Sequence, residues 1–211
     1  AVAWKVVGYS VDGGATYTPN KPAWMTALSK ENGNGGTAAE QGTATLTKDV
    51  TDLLKLRNDG LKNAPAVGSA AAPYNLSNST GAATVENTAN SYLISAPGHY
   101  RIPLVYGNAI KNGATNSNAY ETTATGTYVL QHFKDHNNQN ITNPWIEKTN
   151  SSAYANIDGA KIVWSDEKDL VTSPTIAHVG GDGYLDFEVK QSDIKSGNAV
   201  VAVTKGGTVV W

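Results

Sequence analysis

The carboxyl-terminal stretch Asn198-Ala199-Val200-Val201-Ala202-Val203-Thr204-Lys205-Gly206-Gly207-Thr208-Val209-Val210-Trp211 decides the fold class of this chain. It contains two runs rich in β-branched residues, which favour extended strands. The runs are separated by Lys205-Gly206-Gly207, and glycine accepts the positive φ that a tight hairpin turn requires. The stretch therefore predicts an antiparallel β-hairpin.

Strand-like runs of the same kind recur along the chain. They lie at residues 4–11, 43–47, 91–95, 100–106, 161–164, 170–172 and 184–189. Between them, Asp12-Gly13-Gly14 and Ala96-Pro97-Gly98 carry the residues that tight turns need. Many short strands with frequent turns are typical of an all-β sandwich.

Two segments have the apolar spacing of a short helix. In residues 49–62 the apolar positions that share one stripe are Val50, Leu53, Leu54 and Leu61. In residues 127–136 they are Val129, Leu130 and Phe133. We therefore predict an all-β chain of two immunoglobulin-like β-sandwich modules with one or two short helices.

Residues 64–73 form the best linker in the sequence, because they have small side chains, two prolines and no charge. At roughly 150 residues per domain, a chain of 211 residues falls between one domain and two. We predict a small module at residues 1–66 and a larger one at residues 73–211. Both chain ends lie in strand-like runs, so we expect the chain to be part of a longer protein.

Composition excludes several classes of function. Sixteen basic and 18 acidic residues give a net charge of −2. The chain therefore lacks the excess of basic residues that binds nucleic acid. The chain has no cysteine, so disulfides, cysteine-ligated metals and thiol catalysis are excluded. No run approaches the ~18 apolar residues of a membrane span, and we predict no transmembrane segment.

The sequence offers few candidates for catalysis or metal binding. His132 and His136 have the i, i+4 spacing of metal ligands on a helix, but the glutamate of a zinc-protease motif is missing between them. We favour exposed histidines at a helix end over a metal site. His99 and His178 are candidates for a third ligand by residue type alone.

Other motifs are better explained by turns than by chemistry. Gly180-Gly181-Asp182-Gly183 and Asp12-Gly13-Gly14 lack the ligand spacing of a calcium loop. The neighbouring carboxylates Asp166, Glu167 and Asp169 are more consistent with a solvated loop than with a glycosidase pair. We predict no enzyme activity, no metal and no cofactor.

The aromatic residues are skewed toward rings with a polar group, with ten tyrosines and five tryptophans against two phenylalanines. Such rings stack on sugars and populate interfaces. We predict that the strand tryptophans lie in sandwich cores: Trp4, Trp24, Trp164 and Trp211. Trp145 follows Asn143-Pro144 in a loop, and we predict that it stacks on a ligand together with Tyr120 and Tyr154.

Two stretches resemble a known family. They are Asn90-Ser91-Tyr92-Leu93-Ile94-Ser95-Ala96-Pro97-Gly98-His99-Tyr100 and Pro103-Leu104-Val105-Tyr106-Gly107-Asn108-Ala109-Ile110-Lys111-Asn112-Gly113. The motif is similar to that of Bacteroidetes fimbrillin-like surface lipoproteins, which are related to type V pilus and tip-adhesin subunits. The resemblance covers roughly residues 73–211. Relatives often have cysteine at the position of Ser91.

The amino-terminal part has a second resemblance. Lys21-Pro22-Ala23-Trp24-Met25-Thr26 and the glycine loop at residues 33–37 look like the immunoglobulin-type BACON module. That module often accompanies carbohydrate-active enzymes, which implies an association with glycans or mucin. Neither resemblance supplies catalytic positions.

The resemblances imply a non-enzymatic cell-surface adhesion or fimbria-associated protein, located extracellularly or at the outer-membrane surface. The expected partners are host or dietary glycans, or other surface and pilus subunits, with no nucleic acid. One mechanism of assembly is β-strand addition, in which an extended terminal segment completes a neighbour's sheet. The alternative is a carbohydrate-binding accessory module for mucin or polysaccharide, with exposed Tyr and Trp rings stacked on sugars.

Overall fold

Strands outnumber helices in the computed structural model, which describes residues 1–48 and 50–211. The strands form several sheets, and the prediction of an all-β fold is confirmed. The chain divides into two units, Ala1–Asp52 and Leu53–Trp211, here termed unit 1 and unit 2. Among the described residues, none forms a helix long and apolar enough to cross a bilayer.

Unit 1 consists of two small antiparallel sheets. Strand β1 (Trp4–Lys5) pairs with β3 (Asn32–Gly33), and β2 (Met25–Leu28) pairs with β4 (Ala44–Leu46). None of the residues that the structure describes in this unit is fully buried. Its strands are therefore held by backbone hydrogen bonds and partly exposed side chains rather than by a closed core.

Unit 2 contains two larger sheets. The first has the order β10-β11-β6-β5, and its strands are β5 (Tyr74–Asn75), β6 (Gly98–Pro103), β10 (Thr172–Val179) and β11 (Asp182–Val189). The second has the order β13-β12-β9, and its strands are β9 (Gly159–Ser165), β12 (Ala199–Lys205) and β13 (Thr208–Val209). The remaining elements are α1 (Leu53–Asn63), β7 (Ile110–Lys111), β8 (Ala114–Thr115), a 3₁₀ turn (Ser117–Ala119) and α2 (Thr149–Ser152).

The hydrophobic core of unit 2 follows from the alternation of strands β6 and β11. Side chains of successive residues point to opposite faces of a strand. Leu185, Phe187 and Val189 are therefore buried together, and the Tyr100 ring stacks on Phe187 with 5.8 Å between ring centroids. Strand β12 adds Val203 to the same cluster. Burial of these apolar side chains is the main stabilising contribution to unit 2.

The predicted helix at residues 49–62 is confirmed as α1, although position 49 itself lies outside the described residues. Leu61 packs against the core of unit 2. The Gln191 side chain donates to the Lys62 carbonyl at 2.9 Å, and the Ser196 amide donates to the Asn58 side chain at 2.7 Å. These contacts attach the helix to the loop between β11 and β12.

The structure places the division of the chain before α1, not at the predicted linker. Residues 64–73 belong to unit 2, since Val67 accepts a hydrogen bond from the His99 amide and donates one to the Pro97 carbonyl. Gly98 has φ +153°, and a Cβ there would collide with the Val67 backbone. The small side chains of this segment therefore allow close backbone packing. A closely packed segment and a flexible linker can have the same composition, so composition did not distinguish them.

Two further predictions of secondary structure are wrong. Residues 127–136 form no helix; instead the Phe133 amide donates to the Tyr120 carbonyl, and Glu121 is bridged to His132 in an antiparallel arrangement. Residues 91–95 run without strand pairing. Helical spacing of three apolar residues was a coincidence, because pairing with residues 120–122 sets the backbone of this segment.

The predicted hairpin at Gly206 and Gly207 is confirmed, and the predicted turn at Gly180 and Gly181 joins two paired strands. Gly206 and Gly207 take positive φ angles of 55° and 80° between β12 and β13, and Gly180 and Gly181 do the same between β10 and β11. Beyond β13, the Val203 amide donates to the Trp211 carbonyl at 2.9 Å. The last residues of the chain are thus paired with strand β12 of their own sheet.

Candidate functional site

Two of the three aromatics predicted to stack on a ligand are inside unit 2. Tyr120 and Tyr154 are buried, so neither offers a ring face to a ligand. Tyr154 lies in a polar, loop-like stretch of sequence. Nothing in that stretch indicates that its hydroxyl has a buried hydrogen-bond partner. The prediction of exposed platforms at these two residues is therefore corrected.

The partner of Tyr154 is the buried carboxylate of Asp135. The Tyr154 hydroxyl donates to Oδ2 at 2.7 Å, and the Asn150 side chain donates to the same oxygen at 2.7 Å. The amides of Asn137 and Gln139 donate to Oδ1 at 2.9 Å. Burial raises the pKa of Asp135, but these hydrogen bonds outweigh it and hold the pKa below its ordinary value. This cluster, the Asp135 network, joins the loop at residues 135–139 to the segment at residues 149–154.

Trp145 is half-buried rather than freely exposed. Its ring meets the Tyr184 ring edge-on at 6.1 Å, and the Lys148 ammonium lies 5.2 Å from its centroid. The Arg101 guanidinium lies over the same Tyr184 ring at 4.8 Å and forms a bidentate pair with Asp186, both bonds being 2.7 Å. The Trp145 ring is therefore occupied by contacts within the protein.

The four histidines do not come together. His136 packs on Tyr154 with 4.6 Å between centroids, whereas His132 Nδ1 lies 3.9 Å from Glu121. His178 Nε2 lies 2.8 Å from the buried Glu147, which also accepts the Ile157 amide at 2.7 Å. In the described part of the chain, no three His, Asp or Glu side chains are grouped as a metal site would need.

The acidic turns are internally satisfied. Hydrogen bonds from Thr16, and then from Ser10, hold the pKa of Asp12 well below its usual range. Asp166 accepts hydrogen bonds from the backbone and side chain of Asn198 at 2.6 and 2.8 Å. Both carboxylates therefore fix the backbone of a loop, as the sequence predicted for these turns.

The strand tryptophans are exposed, against the prediction that they fill the cores. Between 38% and 53% of the surface of Trp4, Trp24, Trp164 and Trp211 is accessible. Trp164 lies on β9 directly opposite Val200 of β12, on the face of this sheet that does not meet the core. The run that contains Trp164 is apolar without polar alternation, which predicted a strand buried on both faces. Periodicity alone cannot show that one face of such a strand is exposed.

Strand β9 is an outer strand of its sheet, with β10 close to it, and it carries a continuous exposed apolar surface. Ile162, Val163 and Trp164 are exposed in succession, and Val200 beside them is 48% exposed. These four residues are termed the β9 surface. Within the described residues, β9 has a paired neighbour on one side alone, which is β12.

The other outer strands of the two sheets are less open to pairing. Strands β5 and β13 have two residues each, and β10 contains Pro174, which has no amide hydrogen to donate. Strand β9 has seven residues and no proline, with one register shift where Val163 lies between two paired neighbours. It is therefore the outer strand best suited to accept a further strand.

Comparison with protein-family models, with curated proteins and with solved structures gives no match for this chain.

Proposed function

We propose that the chain is a non-enzymatic cell-surface adhesion or fimbria-associated protein, built from immunoglobulin-like sandwich modules of fimbrillin-like and BACON-like type, and that a partner binds at the β9 surface. The observation that carries the proposal is the open edge of β9 with Ile162, Val163 and Trp164 exposed. Large exposed apolar patches on soluble proteins mark interaction sites.

Strand addition is the binding mode that suits this surface. An extended partner segment gains main-chain hydrogen bonds along the free edge, while the apolar side chains on both faces supply contacts for its own side chains. Natural edges are blocked by prolines, charges or bulges. On β9 the protection is limited to Lys161 and the register shift at Val163.

The chain acts in this proposal as the acceptor of a strand. Its own terminal strands are already used, since β1 pairs with β3 and β13 pairs with β12. The strand-like ends motivated the expectation that a terminal segment of this chain completes a neighbour's sheet, and these strands have partners within the chain. The free edge of β9 takes their place in this proposal.

A peptide that copies β12 is the appropriate probe, because β12 is the natural antiparallel partner of β9. A fluorescent peptide of residues 199–205 with added lysines should bind the protein in an anisotropy titration. Val163→Lys should weaken binding at least tenfold by placing a charge in the apolar surface. Val179→Lys is the matched control, because Val179 is equally exposed but lies at the end of β10. Equal binding by both variants would reject β9 as the acceptor.

Carbohydrate binding is the second candidate, and the exposed Trp164 ring favours it. An indole presents a flat apolar face on which a sugar ring can stack. Affinity electrophoresis in gels with mucin or plant polysaccharide should then retard the wild type but not Trp164→Ala. Lack of retardation of the wild type in every gel removes this candidate while leaving strand addition intact.

A further inference from the structure

Two short hairpins of unit 2 share the backbone of one residue. The Phe133 amide donates to the Tyr120 carbonyl at 2.8 Å, which closes the first hairpin. The Phe133 carbonyl accepts the Ile141 amide at 3.0 Å, which belongs to the second. Residues 130–134 therefore run through both hairpins as an extended segment rather than as the predicted helix.

The alternation of this segment places three side chains together. Leu130, His132 and Lys134 are two residues apart, and side chains at that spacing share one face of an extended chain. All three line a pocket of about 470 Å³, here termed the hairpin pocket. Asn140, which is bridged to Lys134 in the second hairpin, lines it as well, together with Val129. The pocket is therefore a product of the local pairing.

Lys134 and Asn140 supply donors to the hairpin pocket. The Lys134 ammonium donates to Asn140 Oδ1, and an ammonium has three hydrogens, so two are left for a ligand. Because Oδ1 is used in this contact, the Asn140 Nδ2 group is a further donor. Among the described residues that line the pocket, none is acidic. The fixed charge of Lys134 therefore favours an anion.

His132 supplies an acceptor. Its Nδ1 is buried and has no hydrogen-bond partner in the described part of the chain, and Glu121 Oε2 lies 3.9 Å from it. A carboxylate at this nitrogen favours the tautomer that carries the hydrogen on Nδ1. Nε2 is then free to accept a hydrogen from a ligand hydroxyl. Glu121 itself does not line the pocket.

These groups select a carboxylate that also carries hydroxyls. The single charge of Lys134 matches a carboxylate better than a phosphate ester, which has about two negative charges at neutral pH. Residues 132 and 134 are about 6.6 Å apart along an extended chain, so the two ends of one ligand meet different side chains. Val129 and Leu130 are 39% and 59% exposed and offer an apolar contact for the C–H face of a ring.

We propose that the hairpin pocket binds an acidic sugar of the uronic acid type. Its carboxylate pairs with Lys134, its hydroxyls bond to Asn140 and to His132 Nε2, and the C–H face of its ring packs on Leu130. The site uses neither the β9 surface nor Trp164, since none of those residues lines the pocket. The proposal therefore stands or fails separately from both functions proposed above.

NMR titration of the isotope-labelled full chain with three probes provides the test. Galacturonate is the acidic sugar, galactose has a hydroxymethyl group in place of its carboxylate, and acetate has the carboxylate without the ring. Galacturonate should shift the amide signals of residues 130–134 and 140. It should bind at least tenfold more tightly than galactose and than acetate.

Substitutions of lysine assign the binding to the pocket. Lys134→Gln should weaken galacturonate binding at least tenfold and abolish the preference over galactose, whereas Lys134→Arg should retain that preference. Both variants change an exposed side chain, and unchanged signals elsewhere in unit 2 verify the fold. Lys111→Gln is the matched control, because Lys111 is an exposed lysine of β7 outside the pocket. It should bind as the wild type does.

Four results would overturn the proposal: no shifts at the pocket at tens of millimolar galacturonate, equal binding of galacturonate and galactose, acetate binding as tight as galacturonate binding, or equal losses in Lys134→Gln and Lys111→Gln. Binding that Trp164→Ala removes and Lys134→Gln does not would also overturn it and would assign the sugar to Trp164. Failure of the β12 peptide to bind would reject the acceptor role of β9 and leave the pocket unaffected.

Discussion

Removing the hydroxyl of Tyr154 tests how strongly the Asp135 network stabilises unit 2. The hydroxyl donates to Asp135 Oδ2 at 2.7 Å, and both residues are buried. Tyr154→Phe deletes this hydrogen bond, together with a longer one of 3.3 Å that the hydroxyl accepts from the Asn137 side chain, and keeps the ring, which packs against His136. The main loss is therefore the bond to the buried charge.

The magnitude follows from the donors that remain. A hydrogen bond to a charged group contributes about 1.5–3 kcal/mol to the free energy of unfolding. Asn150 and the amides of Asn137 and Gln139 still donate to Asp135 in the variant, so the carboxylate is not left unpaired. We expect a loss of ~2 kcal/mol at pH 7, near the middle of that range.

The loss depends on pH with a defined sign. The folded-state pKa of Asp135 is held below its unfolded value, so its ionised form adds stability above the unfolded pKa. That contribution disappears as the pH falls through the folded-state pKa. The difference between wild type and Tyr154→Phe should therefore be full at neutral pH and shrink below pH ~4.

The assay is urea unfolding of the full chain followed by circular dichroism at pH 7 and pH 3. Tyr106→Phe is the matched control: the Tyr106 hydroxyl is also buried, but it has no hydrogen-bond partner within the described part of the chain. Burial raises the pKa of Tyr106. Deleting an unpaired hydroxyl should leave stability equal or slightly higher. A similar loss in both variants, or a loss that does not diminish at pH 3, would refute the reasoning.

Three more predictions concern the packing and the division of the chain. Gly98→Ala should cost about 1–3 kcal/mol in urea unfolding, because the Cβ meets the Val67 backbone at a positive φ. Ile157→Val should cost about 0.5–1.5 kcal/mol, since Ile157 is almost completely buried. Residues 53–211 expressed alone should unfold at the urea midpoint of the corresponding transition in the full chain, because every residue of the hydrophobic core comes from unit 2.

Local signals carried the successful part of the prediction. Lys205-Gly206-Gly207 specified a hairpin because two successive glycines supply the positive φ angles of its turn, whatever the rest of the chain does. The spacing of leucines in α1 worked in the same way, with Leu61 directed at the core. Turn chemistry and short-range periodicity are encoded within a few residues.

The failures arose where the answer depends on distant residues. Residues 127–136 have helical spacing, yet Phe133 pairs with Tyr120, a partner outside the periodic window. Trp164 lies in an apolar run that predicts a buried strand, but 53% of its surface is accessible in the fold. Tyr154 gave no sign of its buried partner Asp135, because 19 residues separate them in sequence. Candidate-site prediction failed for the same reason: exposure is a property of the assembled fold.

The low charge of the chain affects how its exposed apolar surface can associate with other molecules. Only 16% of residues are charged and the net charge is −2, so little electrostatic repulsion keeps two copies apart. The β9 surface has Lys161 as its charged neighbour on the strand. Association through the β9 surface should therefore be driven by apolar burial and should change little between low and high salt, whereas contacts driven by surface charge weaken as salt is added. The charge deficit noted in the sequence and the exposed aromatics found in the structure thus support the same proposal, that a partner covers the apolar β9 surface.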